Sequence, residues 1–248
     1  MQPKNEWIMQ VKKVAVITGD LINSRQIPVE KRQQVYDYMA RVYHSFAIRR
    51  GWHDTAKLEF FRGDSFQLLV DEPEVALRVA LFLRARLRSV SGRNDMQNGP
   101  HLSKYVRKSN SKKLWDARMA IGIGEVSFRS ESVLNSDGVA FVLSGHTLDQ
   151  MKYNEQLAIK IQGVKESSMI QSQLDLLLRL GGGIVQDWTE AQSELAAECI
   201  EYPNKTQLEL EKEYGIPQTT ISRRKSGGHF DEILSLCDYF EKLIPTLL

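Results

Sequence analysis

Residues Leu58 to Val70 read LEFFRGDSFQLLV, two apolar runs that meet across Gly63-Asp64. The pattern predicts a β-hairpin with a two-residue turn: Gly in the first central position supplies the positive φ that right-twisted strands require, and Asp tolerates the second. Asp64 is thereby expected on a rigid tip. Outward from it, Lys13 to Ser24 (KVAVITGDLINS) reads as a buried strand whose apolar residues stop at Thr18-Gly19 and hand over to Asp20. If the two strands lie side by side, Asp20 and Asp64 converge at one end of a sheet. Two carboxylates suffice there for Mg²⁺ or Mn²⁺ when substrate phosphates and water complete the shell. Turn chemistry explains the same Gly-Asp pairs without a metal, since Asp is a frequent turn residue.

The chain has 248 residues, 42% hydrophobic and 26% charged, an ordinary globular composition with length for one large domain or two smaller ones. Lys and Arg number 33 against 31 Asp and Glu, a net charge of +2 that excludes a bulk polycation. Contact with nucleic acid therefore has to come from local patches. Cys199 and Cys237 show no CxxC or Cys/His spacing and cannot build a disulfide framework, which fits a reducing compartment. No apolar run approaches about 18 residues and no signal-peptide core follows Met1, so a cytoplasmic location without membrane contact is expected.

Residues 1–11 read as a lead-in. After Asp20 a helix is predicted to Arg50, with Val35, Met39, Val42 and Phe46 on its core face and Arg49-Arg50-Gly51 as its stop. A second helix opens at Pro73 and buries Val75, Val79, Phe82, Leu83, Leu87 and Val90, leaving Arg78, Arg84, Arg86 and Arg88 as a solvated face. Residues 92–114 read as a long polar loop or a disordered insert with six basic residues, Arg93, Lys104, Arg107, Lys108, Lys112 and Lys113. Ala117 to Val126 is a strand in which Gly122 and Gly124 imply close approach of another group. A helix to about Tyr153 follows, with His146 structural or on the surface, and Leu157 to Gln162 is the last strand. This order, βαββαβ with an added αβ, predicts an α/β sandwich with a mixed sheet and a mid-sheet hairpin.

The order and its motifs resemble the nucleotidyl cyclase and GGDEF palm-like fold, a ferredoxin-like α/β sandwich, most closely in the SatD family. The carriers are TGDLINSR from Thr18, RGDSFQLLV from Arg62, RMAIGIGEV from Arg118 and SDGVAFVLS from Ser136, spanning residues 13–163. The resemblance implies that Asp20, Asp64 and the carbonyl of Leu21 hold Mg²⁺ or Mn²⁺, and that Gly63 and Ser65 contact a nucleoside triphosphate or another phosphorylated nucleotide. Cyclases carry Asn and Arg where this chain aligns Val142 and His146, and a Lys where it has Phe60. Loss of that arginine removes a charge-stabilising group of phosphoryl transfer, which argues against cyclisation by the familiar route.

Beyond residue 165 the pattern becomes all-helical. A helix over Ser168 to Leu180 ends at Gly181-Gly182-Gly183, which reads as a hinge or domain boundary, dividing the chain into an α/β domain (1–165) and a helical domain (166–248). Helices follow over Thr189 to Tyr202, Thr206 to Tyr214 and Gln218 to Lys225, and a last one runs from Phe230 to Leu248. The segment TQLELEKEYGIPQTTISRRKSGG from Thr206 resembles a bacterial helix-turn-helix, with Leu210, Tyr214, Ile216 and Ile221 buried and Glu211 where that motif prefers a small residue. The resemblance places Gln218, Thr219, Thr220 and Ser222 against bases and Arg223, Arg224 and Lys225 against phosphates. The expected function is a cytoplasmic transcription regulator that senses a nucleotide and binds DNA, its apolar last helix packing back or joining a homodimer. An active cyclase or nucleotidyltransferase and a non-catalytic docking scaffold are the alternatives.

Overall fold

The structure, a computed structural model, describes residues 12–52, 57–91, 114–152 and 154–248. The lead-in over residues 1–11 and the six basic residues of the polar loop lie outside the described residues. Strands β1 (Val14–Ile22), β2 (Leu58–Phe61), β3 (Ser65–Val70), β4 (Asp116–Gly124) and β5 (Leu157–Ile161) form one open sheet in the order β2-β3-β1-β4-β5. Every neighbouring pair is antiparallel except β4 and β5. With eight α-helices among the described residues, the fold is α/β.

Alternation along β1 sorts its residues between two faces of the sheet. Val14 and Val16 join Ala140 and Phe141 of helix α3 (Val139–Gln150) on one face. Ala15 and Ile17 join the main core with α1 (Val29–Arg49) and α2 (Ala76–Ser89) on the other. Helices cover both faces, which is why β1 and β4 are buried over nearly their whole length. The close approach expected at Gly122 is the backbone of α3: a Cβ there would lie 2.2 Å from the Ala140 carbonyl oxygen.

The hairpin differs from expectation in two respects. Its loop has three residues, Arg62 to Asp64, because Phe61 pairs with Ser65, and both Arg62 (φ 49°) and Gly63 (φ 86°) take the left-handed conformation. It lies at the sheet edge rather than mid-sheet, with β2 outermost. Strand β1, expected within Lys13 to Ser24, runs to Ile22 and pairs with β4 along its length.

The arginines of α2 are not a solvated face. Their relative exposures are 2%, 0%, 4% and 1% for Arg78, Arg84, Arg86 and Arg88, because α2 is enclosed between the sheet and α5 (Glu190–Glu201). A buried charge is tolerated only when paired, and each of these is. Arg78 binds Asp238 and Glu241 of α8 (Phe230–Leu243), Arg86 binds Glu198 and Glu201 of α5, and Arg84 and Arg88 share Asp116 at the start of β4.

The triple glycine is not a hinge either. Helix α4 (Met169–Asp187) runs through it unbroken. A Cβ on Gly181 would lie 2.6 Å from Leu236 Cδ2, so the glycine lets α8 approach, and the Gly182 carbonyl accepts a hydrogen bond from Arg84 Nη1 at 3.2 Å. Capping boxes open α5 (Thr189 with Gln192) and α6 (Gln207–Tyr214; Thr206 with Glu209), and Gly215 at φ 62° ends α6. Helix α7 (Gln218–Gly227) follows at once. Helix α8 packs back on the core through Ile233, Cys237 and Phe240; it stops at Leu243, with Pro245 in the 3₁₀ turn beyond it. Both cysteines are free and buried, and burial pushes the Cys237 thiol up to about 12. No helix among the described residues is long and apolar enough to cross a membrane.

Candidate functional site

Two places in the fold gather the residues singled out by the sequence: the end of the sheet at Asp20, and the outward face of α7. At the sheet end, the register sets Asp20 opposite Ser65 on β3 and Arg118 on β4, and Ser65 opposite Phe61 on β2. Directly opposed residues share a face, so the four form one row on the α3 side. Arg118 grips Asp20 with both arms of its fork, Nε to Oδ1 at 3.0 Å and Nη2 to Oδ2 at 2.5 Å. That bonding to Asp20 holds the Arg118 pKa above its ordinary value. Both side chains remain about a quarter exposed, 26% and 24%. Together with Leu21, Asn23 and Met151 they line a cavity of about 380 Å³. Behind the row, the Thr18 and Ser144 hydroxyls hydrogen-bond at 2.8 Å, and Gln67 Nε2 donates to Thr18 Oγ1 at 2.9 Å.

Asp64 lies at the same end of the sheet. The Leu21 N–H donates to its carbonyl at 3.1 Å, and Ser24 Oγ donates to its Oδ2 at 2.6 Å. Ser65 thus stands in the row with Asp20, whereas Gly63 belongs to a different groove, of about 450 Å³, beside α1. There the Tyr36 hydroxyl donates to the Gly63 carbonyl, and the Tyr36 ring stacks on Phe60 with centroids 4.1 Å apart. Of the two residues expected to contact a nucleotide, Gly63 lines this groove and Ser65 stands in the row with Asp20.

The donor set at the sheet end does not fit a resident divalent cation. Arg118 already occupies both oxygens of Asp20, so the two carboxylates and one guanidinium carry a single net negative charge. Among the described residues no group of three or more His, Cys, Asp or Glu side chains is placed to hold a metal. Arg118 was not singled out from the sequence. The alternation of β1 and β4 assigns each aspartate and arginine to a face, but only the register brings positions 20 and 118 together.

At the other place, α6 and α7 are joined by the turn at Gly215. Leu210, Ile216 and Ile221 are buried as expected, and the half-buried Tyr214 donates from its hydroxyl to Glu198 Oε2 at 2.6 Å. Glu211, on α6 where the motif prefers a small residue, accepts from Gln218 Nε2 at 2.8 Å and ties the two helices together. On α7, Gln218, Thr219, Ser222, Arg223 and Ser226 are exposed. At 3.6 residues per turn they span one contiguous arc of about 140°. Thr220 is half-buried at the edge of this arc. The three cations separate. Arg223 is exposed, Lys225 pairs with Asp231 at 3.3 Å, and Arg224 is 5% exposed and faces Glu194 of α5. Burial lowers the Arg224 pKa. Arg224 is therefore a core residue of the helical bundle and not a phosphate contact, which corrects its expected role.

Compared with protein-family models, with curated proteins and with solved structures, the chain has no match.

Proposed function

We propose that the chain is a DNA-binding regulator that reads the major groove with α7. The observation that carries this reading is the exposed polar arc from Gln218 to Ser226, set by a left-handed Gly215 turn on a buried apolar seam. A helix held this way offers amide and hydroxyl groups to base edges, as direct readout requires. Arg223 supplies a phosphate contact beside them. Fluorescence anisotropy on genomic fragments over a salt series tests it. Arg223→Ala is expected to weaken binding to all fragments and flatten the log–log salt slope by about 0.9, the value of one lost phosphate contact. Gln218→Ala is expected to lose preference among fragments, at about 1 to 3 kcal/mol per wrong base pair. Salt-independent binding, or none, ends the reading.

A second reading concerns the α/β half. The cavity at Asp20 is lined by the Arg118 guanidinium, about a quarter exposed, and exchange of its Asp20 partner for a phosphate would let a phosphorylated nucleotide bind there. Titration calorimetry against the four nucleoside triphosphates is expected to give binding that Arg118→Ala abolishes. Equal binding by the variant places the ligand elsewhere.

A further inference from the structure

Helix α6 carries three glutamates, Glu209, Glu211 and Glu213, and two of them are engaged close by. Glu209 closes the capping box with Thr206, and Glu213 pairs with Lys205 at 2.5 Å. Glu211 instead reaches across the turn, where its Oε2 accepts the hydrogen bond from Gln218 Nε2. The backbone on either side of this bond is well defined. Gly215 is left-handed at φ 62°, with its N–H on the Glu211 carbonyl, and Pro217, at φ −56°, leads directly into Gln218 as the first residue of α7. A carboxylate only accepts hydrogen bonds, so the nitrogen end of the Gln218 amide is the end that faces it. One N–H is thereby taken. The carbonyl oxygen and the remaining N–H are left for whatever approaches the exposed start of α7.

We propose that Glu211 is a positioning residue that makes Gln218 select adenine, and refuse guanine, at one base pair of a DNA site. This inference rests on the reading of α7 as the helix that enters the major groove. In that groove adenine offers a donor at N6 beside an acceptor at N7, whereas guanine offers two acceptors, O6 and N7. An amide that presents one acceptor and one donor matches adenine with two hydrogen bonds. Against guanine the amide carbonyl oxygen would meet O6 with no proton between them. Turning the amide over would break the bond to Glu211 and set its carboxylate against the amide carbonyl oxygen, leaving both without a donor. A glutamine with no such partner turns freely and offers both of its N–H groups to guanine. The small residue that the motif prefers at this place imposes no such constraint. A carboxylate beside Gln218 also opposes the phosphates of every sequence alike, so it lowers affinity while it sharpens the choice of base.

Selection from a pool of randomised DNA duplexes by the full chain, with sequencing of the bound fraction, tests it, and circular dichroism checks folding. Alanine suits the fold at position 211, since the motif prefers a small residue there. The wild-type pool is expected to fix one position as adenine, at least about fivefold over guanine. Gln218→Ala is expected to lose that preference altogether and so to mark the position that Gln218 reads. In Glu211→Ala, guanine is expected to rise to the level of adenine at that position alone. Glu211→Gln keeps an acceptor at the same reach without the charge. It is expected to retain the wild-type choice of base while binding all duplexes more tightly, as Glu211→Ala also does. A pool with no enrichment ends the DNA-binding reading and this inference with it. In an enriched pool, a marked position that is not adenine, one whose preference survives Glu211→Ala, or one whose preference is lost in Glu211→Gln overturns this inference alone.

Discussion

Asp116→Asn is expected to cost about 3 to 5 kcal/mol of folding stability, the range for breaking a buried ion pair from one side. Asp116 opens β4 at 4% exposure and accepts from Arg84 Nε and Nη2, from Arg88 Nη1 and from the Ala117 N–H, all between 2.7 and 2.9 Å. The same arginines reach onward. Arg84 donates to the Gly182 carbonyl, and Arg88 donates to those of Gln186 and Trp188 at 2.7 Å. The carboxylate thus fixes the cations that join α2 to the end of α4. Neutralising it takes from two buried guanidiniums the carboxylate they share, against a total stability of about 5 to 15 kcal/mol for a typical protein. Urea unfolding of wild type and variant measures the loss. A difference under about 1 kcal/mol, as for a surface pair, would mean that water reaches the arginines.

The same group sets an acid limit. Burial pushes the Asp116 pKa up, but Arg84 and Arg88 overcome it and hold the carboxyl below its ordinary value. A depressed carboxylate contributes stability that is fully present above its unfolded pKa, about 3.9, and is lost as pH falls through the folded value. The urea midpoint of wild type is therefore expected to lose Asp116's contribution only below about pH 4. In Asp116→Asn this part of the acid limb is absent.

These arginines also show what the sequence could and could not reveal. Local signals were legible where the chain contacts itself nearby: the helix starts at Thr189 and Thr206, the Gly215 turn, the buried run of β1 and the alternation of β4. In ALRVALFLRARLRS the arginines interleave with apolar residues, and helix periodicity alone reads any such charge as solvent-facing. Their partners stand at positions 116, 198, 201, 238 and 241, beyond the reach of any local pattern. The Asp20–Arg118 fork was hidden for the same reason, being made by register between strands 98 residues apart. Gly181-Gly182-Gly183 misled differently. Glycine's helix-breaking tendency is a weak preference, and packing of α8 against Gly181 overrides it. On α7, adjacent Arg223 and Arg224 point to opposite environments because successive helix residues are about 100° apart.

Glycines separate the two causes cleanly on α3 and the strand beneath it. In Gly122→Ala the new methyl would sit 2.2 Å from the Ala140 carbonyl oxygen and 2.5 Å from the Ser144 nitrogen. Both are backbone atoms of α3, so no side chain can swing aside, and the whole helix must lift from β4. Overpacking of this kind costs about 1 to 3 kcal/mol and sometimes more, and the rigid contact puts this site at the upper end, near 3. The lift also strains the Thr18–Ser144 hydrogen bond and moves Met151, which lines the Asp20 cavity just past the end of α3. Gly122→Ala is accordingly expected to loosen any ligand bound beside Arg118 as well as the fold. Gly145→Ala, at the half-buried position next to Ser144 on the same helix, meets nothing within 4 Å. There the substitution only removes glycine's conformational freedom, and a gain of about 0.4 to 1 kcal/mol is expected. Urea unfolding of the two single variants should give shifts of opposite sign. If both destabilise alike, α3 is not resting on Gly122, and the close approach of helix to strand that shapes the cavity is wrong.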